Sequence, residues 1–340
     1  MEFARFGSTT WWDPVEVSHD PAGLERGRWA VVVTFEGALT AVRFARRDEG
    51  GRAPGDAARW PAVTDWRPSL DRAAYVAGVE EVRRRIAAGT VYQVNLTTVL
   101  SAPLPDEARL PDLAARLAAG NPAPFAGVVH VPSAGVDVVT ASPERYLTRT
   151  GDRIVSSPIK GTAPTVEQML TKDVAENVMI VDLVRNDLQH VCAPGSVVVE
   201  RLCGPEEHPG LVHLVSDVAG DLRPGTTWAE VLEASFPPGS VSGAPKSSAL
   251  TAIADLEPVP RGPYCGAVGW VDADHPDGSR GELAVGIRTF WTATDPDGVR
   301  RLRFGTGAGI TWASDPEGEW RECELKARVL VGLASGRVVT

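Results

Sequence analysis

ELAVGIRTFWTATDPDGVRRLRFGTGAGI, residues 282–310, reads as two long extended segments, Glu282–Thr294 and Arg300–Ile310, folded back on each other through the Asp- and Gly-rich turn between them. A third extended segment, Tyr264–Val271, precedes them and is joined by another such turn. Outward from there the same grammar recurs. Trp29–Phe35 and Ala38–Ala45 make a hairpin about Glu36-Gly37, and Phe125–Val131 with Val136–Ala141 makes another. Between them fall helices: Leu70–Ala88, with Tyr75, Val76, Val79, Val82 and Ile86 on one stripe, then Leu113–Ala119, Asp173–Leu188, Trp228–Ser235 and Pro316–Leu333. Hairpins interrupted by helices, without a regular βαβ alternation, predict an α+β fold in one globular unit.

The bulk numbers exclude several classes. Of 340 residues, 43% are hydrophobic, enough for one large core, and no long uncharged apolar run suits a membrane span. The first residues lack the apolar core and cleavage site of a signal peptide. Four cysteines, at 192, 203, 265 and 323, have no metal-like spacing and read as reduced thiols of a cytoplasmic protein. A net charge of −10 argues against nucleic acid and anionic membranes, so an anionic substrate would need a local basic pocket or a bound cation.

Chemistry concentrates in a few places. Pro158-Ile159-Lys160-Gly161-Thr162 puts a lone lysine on a tight turn after the predicted strand Arg153–Ser157, and Ser142-Pro143-Glu144 closes another strand. Strand-end lysine and carboxylate suit a nucleophile and a proton donor. In Val91–Leu100 the polar row Gln93, Asn95, Thr97 is a solvent face, the commoner case, or the floor of a polar site. Glu176 lies near the start of a helix apolar on most faces, where a carboxylate must be paired or metal-bound. Glu319, Glu322 and Lys326 share one helix face: a solvated stripe, or oxygen ligands for Mg²⁺ with a lysine beside them. Gly305-Thr306-Gly307-Ala308-Gly309 permits close backbone approach to an anion or merely crowded packing, and Arg288 needs a carboxylate partner from protein or substrate. Gly239–Ser247 fails as a phosphate loop, because Pro245 precedes its lysine, and no glutaminase nucleophile pattern is present.

Taken in order, these segments resemble the chorismate-utilising enzymes. The resemblance is carried by Ile86–Leu96, Ser142–Arg145, Pro158–Thr162, Ala175–Asp187, Val212–Ser216, Gly243–Lys246, Ile287–Thr289 and the glycine turn before Glu319, Glu322 and Lys326, across about residues 70–335. It implies a layered α/β/β/α sandwich of antiparallel sheets, with residues 69–340 as the chorismate-binding catalytic domain and 1–68 as a reduced N-terminal segment packed on it. Isochorismate and salicylate synthases carry a lysine base where this chain has Gln93, and anthranilate synthases usually have Ala where it has Lys160. The lysine form looks like aminodeoxychorismate synthase component I, serving 4-aminobenzoate and folate biosynthesis. Anthranilate synthase component I and a non-catalytic chorismate-binding subunit are the alternatives.

By the same resemblance, Lys160 adds to carbon 2 of chorismate, Glu144 protonates the departing 4-hydroxyl and ammonia then enters at carbon 4, with His213 near the reacting ring. Mg²⁺ on Glu176, Glu319 and Glu322 would hold the ring carboxylate. Gly161, Thr162, Tyr264, Arg288, Gly307, Ala308, Gly309, Lys326 and Gln93 would surround the rest. The chemistry requires Lys160 to have a lowered pKa and Glu144 a raised one. A separate glutamine amidotransferase subunit is the implied ammonia source.

Overall fold

The computed structural model describes residues 1–51, 53–163, 165–169, 171–208 and 211–337, with only the backbone described for Thr162, Thr171, Lys172, His208 and Leu211. Its strands form one continuous antiparallel path folded into two facing halves. In the first half β6 (Gln93–Pro103) pairs on one side with β5 (Arg67–Pro68) and β14 (Gly243–Ala244) and on the other with β18 (Arg300–Ile310). The path continues through β17 (Thr289–Thr294), β8 (Val136–Ser142) and β7 (Phe125–Val131) to β1 (Phe3–Phe6). β1 turns into β2 (Thr9–Ser18), which opens the second half. There follow β4 (Leu39–Glu49), β3 (Arg28–Val33), β15 (Ala267–Asp272), β16 (Arg280–Val285), β9 (Arg145–Thr150), β10 (Arg153–Ser157) and β13 (Leu211–Asp221). β11 (Ile159–Ala163) and β12 (Val198–His208) both pair with β13.

Helices cover the outer faces. α1 (Arg72–Ala87), α2 (Leu110–Gly120) and α6 (Pro316–Ala334) lie over the first half, and α3 (Thr171–Gln189) lies over the second, with α4 (Trp228–Ser235) packed beside it. α5 (Lys246–Leu256) packs beside β6. α1 begins where Asp71 accepts the N–H of Ala74, α4 is opened by a reciprocal Thr227–Glu230 capping box, and Asp315 caps α6 through the N–H of Gly318. The larger core draws Val94, Leu96, Ala308 and Ile310 from one half and Val31, Val268, Leu283 and Val218 from the other. A smaller core fills the space between α2, α6 and the first half, around Leu113, Phe290, Phe304 and Leu330. This is the layered α+β arrangement expected from the sequence.

Several expectations need correction. Glu282–Thr294 is not one strand: it breaks at Gly286–Arg288, because β16 belongs to the second half and β17 to the first, and the chain crosses between them there. Arg288 takes φ +51° at that crossing instead of sitting within a strand. The helix carrying Glu176 is not apolar-buried all round, for Val174 and Val178 stay exposed while Ile180, Val181 and Leu188 enter the core. Strands β1, β2, β5, β9, β12 and β14 and helix α5 are additional to those expected, and Lys160, expected on a tight turn, lies in the further strand β11, which pairs with β13.

Candidate active site

Two crossings between the sheet halves build the centre of the site. β8 ends in the first half and β9 begins in the second, and Pro143 and Glu144 lie between them. The Ser142 hydroxyl pins this corner by donating to Val285 O at 2.7 Å, and Val285 N donates to Glu144 O at 3.0 Å. The neighbouring crossing at Arg288 is tied to the same place, since Ala141 N donates to Arg288 O at 3.0 Å. Residues far apart in sequence thus meet because both strand pairs change halves at one level.

Lys160 arrives from β11. The register with β13 shifts between Lys160 opposite Leu214 and Thr162 opposite His213. The shift falls at Gly161, whose φ is +79° and where a Cβ would stand 2.8 Å from Asp173 Cβ, so only glycine suits the bulge. The Lys160 amine donates to the main-chain oxygen of Ser240 at 3.1 Å. The Ser240 side chain also hydrogen-bonds the Glu144 carboxyl, which is held further by the backbone N–H of Ile159. Ser240 therefore touches both groups, one with its carbonyl and one with its hydroxyl. It lies in a short 3-10 turn, Gly239–Val241, and is itself buried.

The electrostatics split the pair in the direction the chemistry demands. Burial raises the Glu144 carboxyl to about 7, against the Ser240 hydroxyl, the Lys160 charge and the Ile159 N–H, which pull it down. Burial also holds the Lys160 amine below its ordinary value, helped by the positive charge of Lys326 and opposed by Glu176, Glu144 and Glu322.

The β6–β18 ladder forms the wall beside the amine, with Gly307 opposite Thr97, Ala308 opposite Leu96 and Gly309 opposite Asn95. Gln93, Asn95 and Thr97 are buried, so the polar row is a floor and not the solvent face that alternation alone favoured. A Cβ on Gly309 would lie 2.3 Å from Gln93 Nε2 and 3.5 Å from Lys160 Nζ, which places all three together. Gln93 Oε1 is buried and, among the described residues, accepts no hydrogen bond. Lys326 donates to Gly307 O at 3.0 Å and pairs with Glu322 at 2.7 Å.

The remaining candidates divide. Arg288 is half-buried and makes no salt bridge or side-chain hydrogen bond among the described residues, and burial alone pulls its pKa down. A guanidinium so placed has donors that no described protein group fills, and these could bind water or an external carboxylate. His213 is buried on β13 opposite Thr162, whose own side chain lies outside the described residues. Tyr264 is buried against Gly305, where a Cβ would meet its ring at 2.1 Å, and it supports the wall from behind. Ala308 directs its methyl into the core, leaving only its backbone to the ladder.

For a cation, Glu176 on α3 and Glu322 on α6 are both near enough to act on the Lys160 charge. Glu319 is buried and acts on Tyr75, Cys323 and Lys326. Among the described residues no three His, Cys, Asp or Glu side chains converge as a metal cage. Mg²⁺ asks for only one or two protein carboxylates and completes its shell with substrate and water, so Glu176 and Glu322 are the residues that could hold it.

Ser240 went unrecognised in the sequence. By residue type its stretch resembles only a failed phosphate loop, and a backbone carbonyl aimed at a distant lysine leaves no mark in residue type.

A family model described as chorismate binding enzyme matches residues 38–332. The chain belongs to that family. Chorismate binding enzymes similar to it include the anthranilate synthase component 1 of Streptomyces coelicolor, 39% identical over 279 residues, which are 78% of this chain and 52% of that protein. That of Aeropyrum pernix is 33% identical over 337 residues, 95% of this chain and 74% of that protein. The chain thus spans about half the length of the first relative and three quarters of the second. Among solved structures, anthranilate synthase component I from Streptococcus pneumoniae superposes with a TM-score of 0.79 at 21% identity, covering 97% of this chain and 92% of that one. The menaquinone-specific isochorismate synthase MenF of Escherichia coli does so at 0.80 and 18%, covering 98% and 89%. These two likenesses establish the fold. The names of the sequence relatives favour the anthranilate synthase alternative over the aminodeoxychorismate synthase expectation.

Proposed function

We propose that this chorismate-utilising enzyme aminates chorismate through a covalent lysine adduct, yielding 4-amino-4-deoxychorismate. The observation that carries this reading is the shared contact of Lys160 and Glu144 with Ser240, which stations an amine whose pKa burial lowers beside a carboxyl whose pKa burial raises to about 7. The neutral Lys160 amine forms a bond to carbon 2 while the bond from carbon 4 to its hydroxyl breaks, and Glu144 gives its proton to that hydroxyl, which leaves as water. Ammonia then bonds to carbon 4, the bond between carbon 2 and nitrogen breaks, and Lys160 departs as a neutral amine. The new ammonium returns one proton to Glu144. Chorismate plus ammonia becomes the amino product plus water, and both side chains are reset.

Arg288 would bind a substrate carboxylate, and Gln93, with its unfilled Oε1, would accept a donor on the substrate or on ammonia. The main chain at Gly307 and Gly309 lets the ring approach. Mg²⁺, held by Glu176 and Glu322, would neutralise the ring carboxylate of the substrate. Ammonia would be delivered by a glutamine amidotransferase subunit.

The second reading is anthranilate synthase component I, favoured by the names of the relatives. Chorismate, Mg²⁺ and ammonium with the purified chain separate the two. Fluorescent anthranilate formed without any added lyase establishes the second reading. A non-fluorescent amino product, converted to 4-aminobenzoate only when a lyase is added, supports the first. Without ammonia, intact-protein mass spectrometry should reveal a covalent adduct that Lys160→Ala abolishes; an adduct that survives Lys160→Ala removes the nucleophile assignment.

A further inference from the structure

Arg261 is only 1% exposed, deeper than any other charged side chain among the described residues, and no step above uses it. Its guanidinium donates from Nε to Glu257 Oε2 at 2.8 Å and from Nη2 to Glu257 Oε1 at 2.6 Å, a two-pronged ion pair. The other bonds go to main chain: Nη1 to Val241 O at 2.9 Å and Nη2 to Asn95 O at 2.6 Å. Glu257 Oε1 in turn accepts Thr97 N at 2.9 Å. The cation also lies 4.1 Å over the ring of Phe35.

These partners have a meaning for the site. Asn95 and Thr97 belong to the β6 floor beside Gln93, and Val241 directly follows Ser240. A direct bond already joins the two segments, Asn95 N to Ser242 O at 2.9 Å. The ion pair adds a second tie at Val241, between Ser240 and that bond. Burying two charges is costly, and an apolar pair would fill the same space with less loss. What an apolar pair could not do is hold three main-chain groups of two separate segments at fixed positions.

We infer that Arg261, acting with Glu257, is a positioning residue: it locks the Ser240 turn onto β6 and so sets where the Lys160 amine and the Glu144 carboxyl stand. This rests on the proposed reading that those two groups are nucleophile and acid. Misplacing reacting groups by about 1 Å costs on the order of a hundredfold in rate, so even partial slack is measurable.

The test compares wild type with Arg261→Lys, which keeps the charge but loses the fork, and with Glu257→Gln, which keeps the shape and an acceptor for Thr97. In chorismate consumption, kcat should fall at least about tenfold while KM stays within about twofold. A second readout needs no turnover. The chain has four lysines, 160, 172, 246 and 326, so acetic anhydride labelling mapped by mass spectrometry resolves each one. The labelling rate of Lys160 relative to Lys246 should change at least about threefold, a response that global loosening would not confine to one lysine. Unchanged labelling ratios in a folded variant overturn the inference, as does a rise in KM with kcat preserved. Should Arg261→Lys fail to fold, Glu257→Gln decides alone. If wild type consumes no chorismate, the proposed function falls, and the labelling ratio still decides the inference.

Discussion

Gly309→Ala should cripple turnover while leaving the fold intact. The added methyl would lie 2.3 Å from Gln93 Nε2 and 3.5 Å from Lys160 Nζ. Non-bonded heavy atoms settle at roughly 3.5 Å, so the Gln93 amide would have to retreat by about 1 Å. Gln93 is almost fully buried and β14 is paired to its backbone, so the amide cannot retreat without disturbing its neighbours, the Lys160 amine among them. A displacement of about 1 Å among positioning groups costs on the order of a hundredfold, or about 2.7 kcal/mol of barrier. Gly309 is not among the glycines with positive φ, and in a strand alanine is the better residue, so backbone strain is absent. The assay is the initial rate of chorismate loss with ammonium and Mg²⁺, alongside a melting curve. Adding Gln93→Ala removes the obstructing amide, so the double variant should lose less than the sum of the single losses. A folded Gly309→Ala protein with kcat/KM within about threefold of wild type would refute the proposed closeness of Gln93 and Lys160 at the reacting centre.

Glu144→Gln should abolish chorismate consumption yet stabilise the protein in alkali. The folded carboxyl titrates at about 7 against 4.5 for the free group, so the folded chain holds the extra proton between those values and loses stability as pH rises through them. Above pH 7 the buried carboxylate costs roughly 3 kcal/mol, which the amide avoids. Melting temperature should therefore rise at pH 8 and hardly move at pH 4; equal changes at both would remove burial as the cause. Arg288→Met should raise KM for chorismate by about 10- to 100-fold, the worth of a charge-assisted bond, without lowering the melting temperature. An unchanged KM would show that this guanidinium meets no substrate carboxylate.

Much of the fold was legible because hairpins announce themselves locally. The turn between Thr294 and Arg300 and the alternation on either side of it need no distant information. The stripe of Tyr75, Val79 and Val82 likewise gave α1, and all three are buried. What stayed hidden depended on partners. β2 carries Asp13, Pro14 and Glu16 among its residues and is held by ladders to β1 and β4, with a register shift between Pro14 and Glu16. β12 leaves Val198, Val199 and Leu202 exposed, so its pattern reports no face. The break at Gly286–Arg288 is invisible to local pattern, because only the assignment of β16 and β17 to different halves requires it. In the site, residue type pointed to Lys160, Glu144 and Arg288. It could not point to Ser240, whose decisive atom is a main-chain oxygen, or to Arg261, whose partners are mostly main chain as well.

The position of Ser240 also resolves a conflict built into the pair. A lysine and a glutamate buried side by side would ordinarily settle as an ion pair, raising the amine and lowering the carboxyl. That state is useless for addition and for proton donation alike. Here Lys160 and Glu144 form no salt bridge, although each feels the other's charge. Ser240 gives the amine an acceptor that carries no charge and gives the carboxyl a donor that carries none. Each group is satisfied enough to remain buried, and neither is stabilised as an ion strongly enough to offset desolvation. The scaffold therefore has to hold one short turn in place more firmly than it holds either reactive side chain, and the buried ties from β6, Glu257 and Arg261 converge on that turn.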